Sequence, residues 1–362
     1  MRKSRGVIVL ILMLTVPLAL GWGGVSAAAP DQFKVGFVFN TPLGDPGWTT
    51  RQNAGRVCLQ ERLPWVETSF VENVPEGADA ERVITQLARA GNRLVVGANF
   101  GYMDTLIAVA QKFPNTHFLH AAGFKTAPNV STYHGRMYQA QYLAGVVAGR
   151  VAKKSPIGFV AAVPIPEVVR DINAFTLGAR SVNPQARVRV VWVNAWYDPA
   201  REREAANTLV DAGADVVAHF TNSAGPLQAA AARGIHGITF HADMSQFGPK
   251  AFLVASVWNW CPIFVRAAEG IKAGTWKSQQ IWGSMAEGVV DISKFGPDVP
   301  ASVQAEVGKV RSTIVAGTFR VFTGPIRDQA GSVKVASGKA MTDPELLGFN
   351  WFVQGVEGAI PK

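Results

Sequence analysis

Only two cysteines, Cys58 and Cys261, occur in the 362 residues, which excludes a dense disulfide framework as the device that holds the fold. Their spacing does not decide whether they pair, and two small buried hydrophobes is the plainer reading. No cysteine follows the apolar run near the start, so a lipidated N-terminal cysteine is excluded. No apolar run reaches the roughly 20 residues that a bilayer-spanning helix needs. Basic residues exceed acidic ones, with a formal net charge of +9, yet no basic block is longer than Lys153-Lys154. The basic stripe with interleaved aromatics that a nucleic-acid binder carries is missing.

Enzyme signatures are missing as well. There is no G-x-x-x-x-G-K-[ST], no G-x-G-x-x-G after the first strand, no H-E-x-x-H and no C-x-x-C. Thr221-Asn222-Ser223-Ala224-Gly225 has the wrong first residue for a nucleophile elbow. His120, His219 and His241 stand near strand ends but on different strands, without metal-ligand spacing, and a lone strand histidine is usually satisfied within the fold. No metal, cofactor or catalytic set is expected.

What is present begins with Met1-Arg2-Lys3-Ser4-Arg5, an apolar run from Val7 to Leu20, and small residues through Ala29. These are the parts of a secretory signal peptide over residues 1–29. The expected mature chain is exported, periplasmic, soluble, not lipidated and monomeric. It carries +6 of the formal charge, because three basic and no acidic residues leave with the leader.

From Phe33 onward, short apolar runs alternate with helical patterns, the rhythm of βαβ units building parallel sheets. Runs at 34–39, 65–71, 94–98 and 117–121 make a first sheet. Between them, Ala80, Val83, Ile84, Leu87 and Ala88 recur at helical spacing over 78–90. The rhythm restarts with a helix over 140–152 and runs at 157–162, 188–193, 216–220 and 235–240, which define a second lobe. The strand and helix over 252–273 cross back toward the first lobe. A strand at 289–292 and a helix near 300–316 lead into an irregular tail from Thr323. The expected division is 30–131 with about 257–285 in the N-terminal lobe, and 132–256 with about 286–362 in the C-terminal lobe. The fold class is α/β, each lobe a parallel sheet flanked by helices.

Open parallel sheets bind ligands outside the carboxyl ends of their strands, so the residues just after each strand are the candidates. Asn40 opens the loop after the first strand, which runs through Asp45, a candidate helix cap or ligand contact, to Trp48. A turn that pushes a large aromatic out of the core offers a flat face for a planar ligand. Other strand ends repeat the theme of aromatic beside asparagine: Asn99-Phe100-Gly101-Tyr102, Asn194-Ala195-Trp196-Tyr197, Phe220-Thr221-Asn222 and Val257-Trp258-Asn259-Trp260. Asn supplies a donor and an acceptor together. Asp243, after the 235–240 strand, is a carboxylate suited either to a ligand N–H or hydroxyl or to a simple cap. Aromatic faces with amide edges suit a heterocyclic base better than a sugar or an aliphatic acid.

Three segments, in this order, resemble the basic-membrane-protein family of substrate-binding proteins of ATP-binding-cassette transporters. They are Gly44-Asp45-Pro46-Gly47-Trp48-Thr49, Tyr138-Gln139-Ala140-Gln141-Tyr142-Leu143-Ala144-Gly145 and His241-Ala242-Asp243-Met244-Ser245-Gln246. The resemblance runs from about Phe33 to Lys362. It implies a two-lobed, type I periplasmic-binding-protein fold with three crossings between lobes, a small-molecule ligand, and a membrane permease as partner. It implies that Trp48 is a stacking aromatic, that Asp243 holds a ribose in nucleoside binders, and that Phe175 faces the cleft from a helix of the second lobe. By the same resemblance, Phe100 and Asp104 fall where the family has a strand-end loop near the ligand. Ser245 replaces the family's second acid, and Trp258-Asn259-Trp260 stands where a lysine is expected. The lysine would serve a polar portion of the ligand, so its replacement favours a free purine base such as adenine over a nucleoside. A nucleoside binder, a periplasmic ligand sensor and a nucleoside hydrolase are the alternatives.

Overall fold

The computed structural model describes residues 32–44 and 46–361. The signal-peptide expectation for 1–29 and the role considered for Asp45 lie outside these residues. In chain order the first part holds β1 (Phe33–Val38), α1 (Trp48–Arg62), β2 (Val66–Val71), α2 (Ala78–Arg89), β3 (Leu94–Gly97), α3 (Met103–Lys112), β4 (His117–Ala121) and β5 (Val130–Gly135). Then come α4 (Tyr138–Val151), β6 (Ile157–Ala161), α5 (Pro166–Val182), β7 (Val188–Trp192), α6 (Pro199–Asp211), β8 (Val216–Phe220), α7 (Gly225–Ala232), β9 (His236–His241) and β10 (Phe252–Trp258). The remainder is α8 (Cys261–Lys272), β11 (Gln280–Gly283), β12 (Val290–Ile292), α9 (Ala301–Val315), β13 (Ile326–Arg327), β14 (Val333–Val335), α10 (Asp343–Leu347) and β15 (Val356–Glu357).

Two sheets follow. The first is six-stranded, β2-β1-β3-β4-β5-β11, with every pair parallel. The second is seven-stranded, β15-β7-β6-β8-β9-β10-β12, parallel except for β12 against β10. Each repeats the doubly wound order that reverses direction beside its first strand, leaving a crevice at the carboxyl ends. The chain passes between the sheets after β5, after β10 and after β11.

Sequence explains most of this. β3, β6 and β8 are buried along their whole length, as strands covered on both faces must be. In α2 the buried positions are Ala80, Val83, Ile84, Leu87 and Ala88, the stripe that its spacing predicts. The first sheet is larger than the four expected strands because the polar β5 and the late β11 extend it, and β5 runs to Gly135, past the expected boundary at 131. β10 stays in the second sheet, so the crossing lies just after it. The tail is less irregular than expected: it forms the β13–β14 hairpin and lends β15 to the edge of β7. Buried Asn173 on α5 holds that tail, donating to Trp351 O at 2.8 Å and accepting from Val353 N at 2.9 Å.

Cys58 and Cys261 form a disulfide that joins α1 to α8 across 203 residues of sequence, which corrects the reading of two unpaired hydrophobes. The two helices meet closely because α1 carries Gly55, where an added Cβ would sit 2.7 Å from the Phe264 ring. No helix among the described residues is long and apolar enough to cross a membrane.

Candidate functional site

Five rings converge at the carboxyl ends of the two sheets. Trp48 opens α1 after β1, His134 lies in β5, His241 ends β9, Trp258 ends β10, and Trp260 precedes α8. The Trp48 ring meets Trp260, Trp258 and His241 edge to face, at centroid distances of 5.4, 5.9 and 5.9 Å. Trp258 and Trp260 stack on each other at 4.7 Å, and His134 lies 5.1 Å from Trp258. Edge-to-face and offset arrangements are those the ring quadrupole favours.

Hydrogen bonds fix the rings. Trp48 Nε1 donates to Ala98 O at 2.6 Å, at the end of β3. Trp258 Nε1 donates to His241 Nδ1 at 2.8 Å. One turn along α1 from Trp48, Arg51 Nε donates to Trp258 O at 2.9 Å, tying a first-lobe helix to a second-sheet strand end. A second tie is His134 Nε2 with Glu167 Oε1 at the start of α5, 2.8 Å apart. Trp258 and Trp260 are fully buried, whereas Trp48 keeps partial exposure.

Buried polar groups of the two lobes are unusual. Burial, reinforced by charge repulsion from His219 and His134, drives the His241 imidazole well below its ordinary pKa. Burial brings His219 to about 3 and His120 to about 4, against carbonyl hydrogen bonds from Asn99 and Phe100. Burial raises the Asp171 carboxyl well above the usual range, with Arg170 opposing and Glu167 adding to it. Burial alone would raise Glu167 too, but His134 and then Arg170 outweigh it and its pKa falls. His120 Nδ1, His134 Nδ1, His219 Nε2, His241 Nε2, Trp260 Nε1 and both oxygens of Asp171 are buried without a protein partner. Buried polar atoms are ordinarily paired. The expectation that the strand histidines are satisfied within the fold is therefore corrected, since each of the three leaves one nitrogen over. No group of three His, Cys, Asp or Glu among the described residues is placed to hold a metal.

Of the residues singled out from the sequence, Trp48 and Trp258 come together in this cluster. Trp196 and Asn222 form a neighbouring pair, with Asn222 N donating to Trp196 O at 3.0 Å. The Trp196 ring lies 6.4 Å from Phe220, which itself lies 6.1 Å from His241. Asn40 is part-buried just past β1. Phe100 is exposed, 6.5 Å from Phe124, and Asp104 is an exposed partner of Lys125 at 2.6 Å. Tyr102 is fully buried in the first lobe, its hydroxyl donating to Val74 O at 2.6 Å. Phe175 is fully buried in the second lobe, edge to face with Phe159 at 5.3 Å. Asp243 is exposed and accepts from Ser245 N at 2.9 Å, a local cap. His134, Glu167 and Asp171 were not legible as candidates, because β5 carries no apolar run and α5 reads as one more amphipathic helix.

The family model described as ABC transporter substrate-binding protein, PnrA-like, matches residues 32–319. A purine-binding protein of Brucella abortus is 44% identical over 340 residues, covering 94% of this chain and 97% of that protein. A protein of Haloferax volcanii named as a candidate ABC-transporter glucose-binding protein is 38% identical over 332 residues, 92% of this chain and 82% of that one. Among solved structures, a solute-binding protein of an ABC transporter system from Conexibacter woesei superposes with a TM-score of 0.68 at 23% identity, over 79% of this chain and 97% of that one. The chain belongs to the PnrA-like family of ABC-transporter substrate-binding proteins.

Proposed function

We propose that this protein captures a purine base, adenine-like, in the cleft between its two lobes, and presents it to the membrane permease of an ABC importer without chemical change. The observation that carries the reading is Trp48. Its indole N–H is already committed to Ala98 O, so the ring has only its faces and edges to offer, at the point where both sheets end. Small-molecule sites are apolar slots with a few placed polar groups, and the unpartnered buried nitrogens of His134, His241 and Trp260 within the cluster supply such groups. The purine-binding relative from Brucella abortus supports the same class of ligand.

A free base is favoured over a nucleoside because Asp243, the acid that the resemblance assigns to the ribose, is exposed and engaged with Ser245 N. The lobes are taken as 33–135 with about 259–285 and 136–258 with about 286–361, the boundaries expected at 131 and 256 moved to follow β5 and β10. They close on one ligand per chain because the ligand binds the closed state better than the open one. The protein works as a monomer, outside the cytoplasm, after loss of residues 1–29. Calorimetric titration with adenine, adenosine and glucose tests the reading. Adenine is expected to bind at one site per chain and most tightly; preferred binding of glucose, or no binding of any purine, overturns it.

A further inference from the structure

Two of the unpartnered nitrogens belong to histidines on neighbouring strands of the second sheet. His219 is the penultimate residue of β8 and His241 ends the neighbouring β9. They are 2% and 4% exposed, and a charge on one would oppose a charge on the other. Each uses its Nδ1 within the protein and leaves its Nε2 buried without a partner.

The partners define which nitrogen carries the hydrogen. At His241, Nδ1 receives the indole N–H of Trp258 at 2.8 Å. An indole nitrogen only donates, so Nδ1 holds a lone pair and the hydrogen of the neutral ring is on Nε2. At His219 the order is reversed. Buried Glu202 collects the backbone N–H groups of Asp198 and Ser223, at 3.0 and 3.1 Å, and the hydroxyls of Ser223 and Thr221, at 2.5 and 2.7 Å. Four donors make it the acceptor. The Thr221 hydroxyl spends its one hydrogen there, so toward His219 Nδ1, 3.1 Å away, it accepts. His219 Nδ1 therefore carries the hydrogen, and its Nε2 the lone pair. Burial keeps both rings neutral.

We infer that His219 Nε2 and His241 Nε2 are a neutral acceptor and donor that together read a ligand edge carrying a hydrogen-bond donor beside an acceptor, as the N–H/N edges of a purine base do. The inference rests on the proposed purine-base reading and adds the groups that distinguish such a base from other planar ligands. A planar hydrocarbon would stack on Trp48 equally well but leave both nitrogens unsatisfied, which is what a polar site penalises. The His219 tautomer is set through Thr221 and Glu202, and that of His241 through Trp258.

The test uses the full mature chain with ¹⁵N-labelled histidine, and adenine as the probe. At neutral pH, NMR is expected to show His219 protonated on Nδ1 and His241 on Nε2, and adenine is expected to shift both Nε2 resonances at one equivalent. The same tautomer at both positions, an imidazolium at either, or adenine binding that moves neither Nε2 overturns the pairing while leaving the base reading intact. Absence of adenine binding in calorimetry overturns the base reading and the pairing with it. His219→Leu, checked for folding by its thermal melt, is expected to weaken adenine binding roughly tenfold or more; wild-type affinity in a folded variant overturns the role of His219. Should the variant fail to fold, the titration of the wild-type histidines decides.

Discussion

A tryptophan whose N–H is already bound to a backbone carbonyl recognises a ligand by shape and π-face alone, and Trp48 is in that position. Trp48→Ala is expected to weaken ligand binding by about 1–3 kcal/mol, on the scale measured for a base stacked on an aromatic side chain, in a calorimetric titration. Trp48→Phe, which keeps a ring and loses the bond to Ala98, is expected to retain most of the affinity; equal losses in both variants would mean that the anchor, not the stacking, matters. At this scale the sequence was partly legible. Trp48 could be found because a strand end followed by a turn can push an aromatic out of the core, whereas Trp258 was found by its place at a strand end although it is itself fully buried. Tyr102 and Phe175 follow strand ends or sit on a helix just as plausibly, but both are fully buried within a lobe, and only packing shows which side of a helix or turn a ring takes. The buried nitrogens of His219 and His241 could not be read at all, since a lone histidine in an apolar run looks the same whether or not both its nitrogens are used.

Among the elements, α4 and α5 approach so closely that their glycines are compulsory. A Cβ at Gly145 would stand 2.0 Å from Phe175 O, and one at Gly178 2.0 Å from Tyr142 O. Both atoms met are backbone, so the helices themselves would have to part. Gly145→Ala is expected to cost about 1–3 kcal/mol, the usual range for overpacking, read as a lowered midpoint in urea unfolding; an unchanged midpoint would show that the helices yield freely. The disulfide between α1 and α8 closes a long loop. Replacing both cysteines by serine is expected to destabilise the protein by about 2–5 kcal/mol, measured in the same way, and a change below about 1 kcal/mol would contradict a structural role. Apolar runs announced most strands, while β5, β11 and β15 were hidden because they are polar, short or late in the chain and owe their pairing to neighbours distant in sequence. The disulfide was hidden for the same reason: it depends on α1 packing on α8.

Taken whole, the molecule buries several histidines in their neutral form. The folded values of His120, about 4, and His219, about 3, lie below the unfolded value near 6.5, and His241 lies well below it. Between these limits the unfolded chain binds more protons than the folded one. Stability from these groups is therefore complete above about pH 6.5 and is lost as pH falls toward 4 and then 3, by up to roughly 1.4 kcal/mol per pH unit for each histidine. Asp171 runs the other way, since its raised pKa favours the fold at low pH. With three histidines against one such carboxyl, the melting temperature is expected to fall as pH is lowered from 7 to 4, and a rise over that range would contradict the burial described.

The central claim, a purine base held between lobes at the indole of Trp48, is tested most directly by what the protein carries when it is made. Mass spectrometry of small molecules released by denaturing freshly purified protein is expected to find a purine base, adenine or a close relative, near one equivalent per chain. Recovery of a sugar or an amino acid in that amount would contradict the account.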